Sequence, residues 1–230
     1  MRNIVVLTGA GISAESGLKT FRDADGLWEG HDVMEVATPE AFERNPELVL
    51  DFYNQRRRQL LEVEPNLAHQ ALSRLEHYYD VHIITQNVDD LHERAGSTNV
   101  LHLHGELLKA RSTKYSTQEI IWKKDIHLGD LCEHGYQLRP HIVWFGEAVP
   151  MLDFAIKITQ KADILIIIGT SMQVYPAASL INFIDRGTPI YFIDPKPSID
   201  KHSMPNLEVM PKTAVEGVPT LVDSLIDKAT

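Results

Sequence analysis

A chain of 230 residues with 22 lysines and arginines against 32 aspartates and glutamates carries a formal net charge of −10. That balance argues against a nucleic-acid scaffold, which presents net positive charge to phosphates. A hydrophobic content of 43% and a charged content of 23% fit an ordinary globular protein, long enough to bury roughly 70–75% of its unfolded surface in one large core with a small lobe beside it. The single cysteine, Cys132, excludes an internal disulfide and points to a reducing compartment. With no run of 18 apolar residues and no signal-like start, the chain is expected to be cytoplasmic and away from membranes.

In chain order, four apolar runs read as buried parallel strands: Ile4–Leu7, Val81–Thr85, Asp163–Ile168 and Ile190–Ile193. Each is rich in β-branched residues, continuous rather than alternating, and closed by glycine or polar residues. Helical patterns span Pro39–Val63, Leu67–Tyr79, Asp153–Lys161, Pro176–Asp185 and Val218–Lys228, several opened by proline or by an acidic or amide cap. Strands alternating with helices predict an α/β domain with a doubly wound, Rossmann-like parallel sheet. The stretch Glu106–Arg139 breaks that rhythm, with isolated Tyr115 and Trp122 and no strand of comparable strength. It reads as an inserted small lobe, joined by a second insertion. The expected division gives 1–27, 63–105 and 140–230 to the sheet domain and 28–62 and 106–139 to the lobe.

The first strand runs into Gly9-Ala10-Gly11-Ile12-Ser13-Ala14. This fits the strand–turn–helix pattern G-x-G-x-x-G/A, whose glycines let the backbone approach a pyrophosphate and aim N–H groups at it. A tight βα turn without a ligand reads the same way. A dinucleotide oxidoreductase would continue with a helix, a second strand and a ribose-binding acid about 20 residues on. Here a polar segment, 16–23, follows instead, which weakens a hydride-transfer reading. Gln86, Asn87 and Asp89 follow the strand Val81–Thr85, at a carboxyl end where open α/β sheets bind ligands. Helix capping by Asn87 or Asp89 is the plain alternative. Gly169-Thr170-Ser171 places small and hydroxyl residues, suited to a ribose or phosphate, at another such end. His102 and His104 flank Leu103 just before Gly105. A lone histidine is more often structural than catalytic, but its near-neutral pKa suits general-base work.

The segments GAGISAESGLKTFRD (9–23), TQNVDDLHERAG (85–96), HLHGEL (102–107), LRPHIVWFGE (138–147) and GTSMQVYP (169–176) resemble, in order and spacing, the signature segments of the sirtuins, the NAD-dependent protein-lysine deacylases. The resemblance covers nearly the whole chain. It implies NAD as a co-substrate, held by Gly9, Ala10, Gly11, Ser13, Phe21, Arg22, Gln86, Asn87, Asp89, Gly169, Thr170, Ser171, Asp194 and Ala214. By the same resemblance His104 activates a ribose hydroxyl, while Asn87 and Asp89 lie at the nicotinamide end with Gln86 near its ribose. Phe21 covers the reacting ribose, Arg22 organises the cofactor loop, and His102 is left structural. The implied chemistry needs no metal and no hydride acceptor. The acyl-lysine carbonyl oxygen displaces nicotinamide, the neighbouring hydroxyl attacks, and water resolves the intermediate into free lysine and O-acyl-ADP-ribose. Lys19 stands where the family usually has proline, so that loop lacks a φ restraint. Asp194 stands where the family commonly has asparagine and adds a negative charge near a pyrophosphate.

The implied partners are acylated-lysine proteins or peptides, with no role for nucleic acid or membrane. Residues 141–147 read as an extended strand and 173–176 as a loop, between which a substrate peptide could add as a β-strand; Val143, Phe145, Gly146, Val174 and Tyr175 are its expected contacts. Tyr53 and Arg56 are spaced i, i+3 on one helix face, where a guanidinium can hold a carboxylate bidentately and a phenol can add a hydrogen bond. A solvated basic face over 56–58 is the plain alternative. The pair resembles the Tyr-x-x-Arg of the sirtuin branch that removes succinyl, malonyl and glutaryl groups, and small Ala37 leaves room for the longer chain. Most sirtuins hold zinc in the small lobe with four cysteines, but Ser112, Tyr115, Leu131 and His134 fall at those positions. No zinc is therefore expected, with His127, Cys132 and His134 an improvised site at most. Tyr115, Ile120, Ile121, Trp122, Ile126, Leu128 and Leu131 are expected to bury in its place. A catalytically silent NAD or ADP-ribose sensor and a mono-ADP-ribosyltransferase are the alternative functions. The retained His104, Asn87, Asp89, Phe21 and Arg22 favour the enzyme.

Overall fold

Continuous β-branched runs form strands whose two faces are both covered. A computed structural model describes residues 1–19, 27–28, 30–115, 118–199 and 204–229. Its first half contains β1 (Asn3–Thr8), β2 (Leu27–Trp28), β3 (His31–Asp32), α1 (Val33–Val36), α2 (Pro39–Arg44), α3 (Pro46–Glu62), α4 (Leu67–Leu75), β4 (Asp80–Thr85), α5 (Leu91–Arg94) and β5 (Val100–His102). The second half contains β6 (Gly105–Ser112), β7 (Glu119–Ile121), β8 (Leu138–Ile142), α6 (Leu152–Thr159), β9 (Ile164–Ile168), β10 (Ile190–Ile193), β11 (Leu207–Met210) and α7 (Ala214–Asp227).

Six strands form one parallel sheet in the order β11-β10-β9-β1-β4-β5. The chain winds outward from β1 on both sides, which is the Rossmann order and puts a topological switch point between β1 and β9. On one face Ile4, Val6, Ile83 and Ile166 pack with Leu72 and Leu75 of α4 and Val218 and Val222 of α7. On the other, Val5, Leu7, Leu165, Ile167 and Phe192 pack with Ala155 of α6 and Leu180. The α/β, doubly wound architecture is as the sequence predicts.

The small lobe is a three-stranded antiparallel sheet, β7-β6-β8, with α1–α3 against it. Val36, Val49, Tyr53 and Leu60 meet Leu107, Leu108, Ile142 and Trp144, and Leu50 meets Ala110, Ile126 and Leu138. Glu106–Arg139 therefore contains real strands. Charged Lys109, Arg111 and Arg139 interrupt their apolar pattern. The expected limits at 27/28 and 139/140 fall inside β2 and β8. The expected apolar filling of the lobe is corrected as well. Ile126 is fully buried and Trp122 partly so, but Tyr115, Ile120, Leu128 and Leu131 are exposed and Ile121 is 76% exposed. Residues 119–121 form an outer strand of the three-stranded sheet, exposed among the described residues.

Other differences have local causes. The helix expected over Pro39–Val63 breaks at Asn45, because Pro46 disfavours a helical residue before it and the Asn45 side chain accepts from Leu48 N–H to start α3. Helix α7 starts four residues earlier than expected, with the Glu216 carboxylate accepting from Thr213 N–H at the helix start. Residues Ala177–Phe183 form a 3-10 helix, and the Gly9 turn leads into two short 3-10 turns, Ala10–Ile12 and Ala14–Ser16, in place of a long helix. The left-handed Gly17 (φ 101°) ends the second.

Candidate active site

Every predicted cofactor residue within the described chain lies at the carboxyl edge of the sheet. Gly9–Ser13 follow β1, Gln86–Asp89 follow β4, Gly169–Ser171 follow β9, Asp194 follows β10, and Ala214 opens α7 after β11. Phe21 and Arg22 lie outside the described residues. The turns after β1 and β9 touch: Gly11 N–H donates to Gly169 O at 2.9 Å, and a Cβ on Gly11 would sit 2.6 Å from Gly169 Cα. A Cβ on Gly169, whose φ is +60°, would come within 2.5 Å of Ile12 N. These glycines thus first allow two βα turns to pack against one another, a demand made by the fold itself.

Above that contact the polar groups converge. Ser13 Oγ donates to Asp89 Oδ2 at 2.9 Å and accepts from Asn87 Nδ2 at 3.1 Å, and Asp89 Oδ1 accepts from Leu91 N–H. Burial pushes the Asp89 carboxyl up to about 6, against the bonds from Ser13 and Leu91. Gln86 Nε2 donates to Thr170 Oγ1 at 3.1 Å, tying the turn after β4 to the turn after β9. Ser171 O accepts from Ser198, and Asp194, 3% exposed, accepts from Lys196 N–H with one carboxylate oxygen. Ala214 packs into the sheet core, and the neighbouring Val215 N–H donates to Glu15 beside the first turn.

Two histidines follow β5 and play different parts. His104 Nδ1 lies 3.0 Å from the Gln86 carbonyl oxygen. That oxygen can only accept, so Nδ1 carries the hydrogen and Nε2 is the basic nitrogen. Burial lowers the His104 pKa, with the Gln86 carbonyl opposing. His102 meets acceptors with both nitrogens, the Asn87 carbonyl at 3.1 Å and Glu93 at 2.7 Å. Burial pulls His102 down, but the Glu93 bond and the charges of Glu93 and Glu106 outweigh it and raise the pKa. His102 is a charged clamp on the 86–89 turn. Beneath the turns, Thr8 Oγ1 lies within 2.9 Å of Thr85 Oγ1 and 3.1 Å of His92 Nε2, and Thr85 Oγ1 accepts from Asn87 N–H. His69 packs on His92 with ring centroids 4.9 Å apart, and burial holds both neutral, His69 at about 4.

The lobe side carries the predicted substrate residues. Ala37 and Tyr53 are buried in one cluster with Trp144. The Arg56 guanidinium stacks over Phe52 at 4.9 Å, and Phe52 meets Tyr53 edge-on at 5.1 Å. Beyond β8 the strand expected over 141–147 gives way to a turn in which Val143 N–H donates to His104 O and Phe145 N–H to Ala37 O, with Gly146 at φ 90°. Phe145, Val174 and Tyr175 are exposed, Tyr175 by 74%. Sequence reasoning missed the groups that hold this turn. Glu147 pairs with Arg139 at 2.8 Å and Arg111 at 3.1 Å, and also accepts from Trp144 N–H. Its signal was the pair of buried arginines, one in each of two neighbouring strands.

Residues 9–176 match the model of the Sir2 family. The chain belongs to that family. It is 60% identical over its whole length to an NAD-dependent protein deacylase of Helicobacter pylori, strain ATCC 700392 / 26695, all of which is covered. A Sir2 homolog solved in complex with NAD is 40% identical, with a TM-score of 0.87 over 99% of this chain and 91% of that one. A Sir2 protein bound to acetylated peptide is 28% identical, with a TM-score of 0.79 over 99% and 93%.

Against this Sir2-family background, the donor set at the zinc positions does not fit the metal. Ser112 Oγ accepts from Lys114 and Tyr115 N–H groups, Leu131 has no donor, and the Tyr115 ring packs on His134 and Tyr136. Zinc asks for four thiolate, imidazole or carboxylate ligands. Among the described residues no three His, Cys, Asp or Glu side chains group as a metal would need, so His127, Cys132 and His134 do not assemble. The described residues include no helix long and apolar enough to cross a membrane.

Proposed function

We propose that this Sir2-family chain is an NAD-dependent protein-lysine deacylase that removes acidic acyl groups, succinyl and malonyl foremost with glutaryl beside them, and acetyl less efficiently. The observation that carries the chemistry is the convergence at the sheet's carboxyl edge of a histidine with its basic nitrogen fixed, His104, and the buried Ser13–Asn87–Asp89 set. NAD supplies an ADP-ribosyl group with nicotinamide as the leaving group. Gly9, Ala10, Gly11, Gly169, Thr170 and Ser171 hold its phosphates and adjoining ribose, with Asp194 and Ala214 at the adenosine side. Gln86, Asn87 and Asp89 hold the nicotinamide end, and Phe21 and Arg22 are assigned there on sequence alone. His104 accepts the proton of a ribose hydroxyl at Nε2, while the Gln86 carbonyl supports the positive ring through Nδ1. Released products are nicotinamide, O-acyl-ADP-ribose and free lysine.

Selectivity is assigned to Ala37, Tyr53 and Arg56. A guanidinium with a phenol close by suits a carboxylate at the far end of the acyl chain, and a site built for that group is poorly served by acetyl. The peptide itself is assigned to Val143, Phe145, Gly146, Val174 and Tyr175, whose exposed apolar side chains and turn backbone make few demands on sequence. The sheet domain (expected as 1–27, 63–105 and 140–230, less β8 and the turn after it) carries the cofactor, and the lobe (28–62 and 106–139, with β8 and that turn) the acyl pocket. The lobe works without zinc, and the single cysteine fits a cytoplasmic enzyme.

Nicotinamide release measured with and without acyl-lysine peptide tests the reading. Release that depends on the peptide supports it. NAD binding without release indicates a sensor, and label transferred from NAD to protein without acyl-lysine indicates an ADP-ribosyltransferase.

A further inference from the structure

We propose that Trp144 is a positioning residue for acyl selectivity, its indole N–H turning the Tyr53 hydroxyl so that the phenol's own hydrogen faces the acyl end of the substrate. The inference rests on the acidic-acyl reading above. Trp144 Nε1 lies 3.0 Å from the Tyr53 oxygen, and both side chains are buried. An indole N–H only donates, so the phenol oxygen is the acceptor in this bond. The phenol's single hydrogen must then be given elsewhere. Burial raises the Tyr53 pKa, so the hydrogen stays in place at neutral pH.

The indole is itself held on every side. The Arg139 guanidinium stacks 3.3 Å from the ring centroid, Phe42 packs at 5.4 Å, and Trp144 N–H donates to Glu147 Oε2 at 2.8 Å. Glu147 is fixed by Arg139 and Arg111, which also donate to the Ile142 carbonyl. The next residue, Phe145, donates its N–H to Ala37 O. The peptide-side turn and two acyl-side residues are therefore one hydrogen-bonded unit with Trp144 at its centre. A phenol whose rotor is already set loses less freedom on meeting a carboxylate.

The test is a double-mutant cycle on the ratio of kcat/KM for matched succinyl and acetyl peptides, with Trp144→Phe, Tyr53→Phe and both together. Trp144→Phe should lower the ratio about tenfold, the order of one oriented hydrogen bond, and should lower it no further once Tyr53 is phenylalanine. An unchanged ratio, or an equal drop in the Tyr53→Phe background, overturns the inference. In the wild-type protein the Trp144 indole N–H resonance, assigned by elimination with Trp28→Phe and Trp122→Phe, should move on adding succinyl peptide and not acetyl peptide. Equal movement with both overturns it independently of any fold defect in Trp144→Phe. If Tyr53→Phe and Arg56→Met move the ratio and Trp144→Phe does not, the inference fails alone. If neither Tyr53→Phe nor Arg56→Met moves it, the acidic-acyl reading fails and takes the inference with it.

Discussion

The carboxyl edge of the sheet and the junction of the small lobe solve the same problem, holding side chains still, by opposite means. At the sheet edge the supporting part is apolar: Ile and Val strands covered on both faces position hydroxyls, amides and the carboxylates of Asp89 and Asp194, with His102–Glu93 as a charged clamp beside them. At the lobe junction charges do the holding, with one carboxylate, Glu147, bonded to two arginines and a backbone N–H. The lobe has an apolar cluster of its own, with Val36, Val49 and Leu60 against Leu107, Leu108 and Ile142, and ionic and aromatic contacts order the turn beside it. In the proposed reading, chemistry sits at the sheet edge and substrate selection at the lobe junction, where the charged cluster of Glu147 lies.

The comparison breaks most sharply at His104. His104→Ala should fold and bind NAD yet lose deacylation by about 10²–10⁴-fold, whereas His102→Ala, which frees the 86–89 turn without removing the base, should be milder. Steady-state rates and NAD titration check both. In the lobe, Glu147→Gln leaves two arginines short of their carboxylate and should cost about 2–4 kcal/mol in urea unfolding, a range trimmed because Glu147 is partly exposed; peptide KM should rise more than NAD KM. At the sheet edge Asp89→Asn has the opposite sign. The folded pKa of about 6 lies above the ordinary aspartate value of 3.8, so the carboxyl's contribution to stability is full below about pH 4 and is lost as pH rises through 6. The variant should therefore gain on wild type over that window, by up to about 2–3 kcal/mol, while losing activity. Melting curves from pH 4 to 7 read the difference, and a variant that loses ground to wild type as pH rises would contradict it. Chelation should do least. Because no donor set for zinc assembles among the described residues of the lobe, EDTA should leave folding and turnover unchanged, and near-stoichiometric zinc by elemental analysis would contradict this.

The four strands legible in the sequence are the interior ones, β1, β4, β9 and β10, where burial on both faces leaves a continuous apolar run. β5 and β11 escaped because they lie at the sheet's two edges, half-covered and weak in pattern. β6 and β8 escaped because Lys109, Arg111 and Arg139 mask their alternation. Site residues at strand ends could be read because ligands of open α/β sheets gather at such ends. The network behind them could not. Trp144 and Tyr53 lie 91 positions apart, and Arg111 and Glu147 lie 36 apart. No local pattern joins such pairs; only the folded lobe does. The glycines of the first turn carried a mixed signal, since their packing against Gly169 is required with or without a pyrophosphate.

The central claim, an NAD-dependent deacylase whose lobe selects acidic acyl chains, meets its most direct test at Arg56. Catalytic efficiency on matched succinyl and acetyl peptides should favour succinyl in the wild-type enzyme, and Arg56→Met should cut that preference by roughly 10–100-fold, the scale of a lost charge-assisted bond. A wild-type enzyme that prefers acetyl, or a preference that Arg56→Met leaves unchanged, would contradict the account.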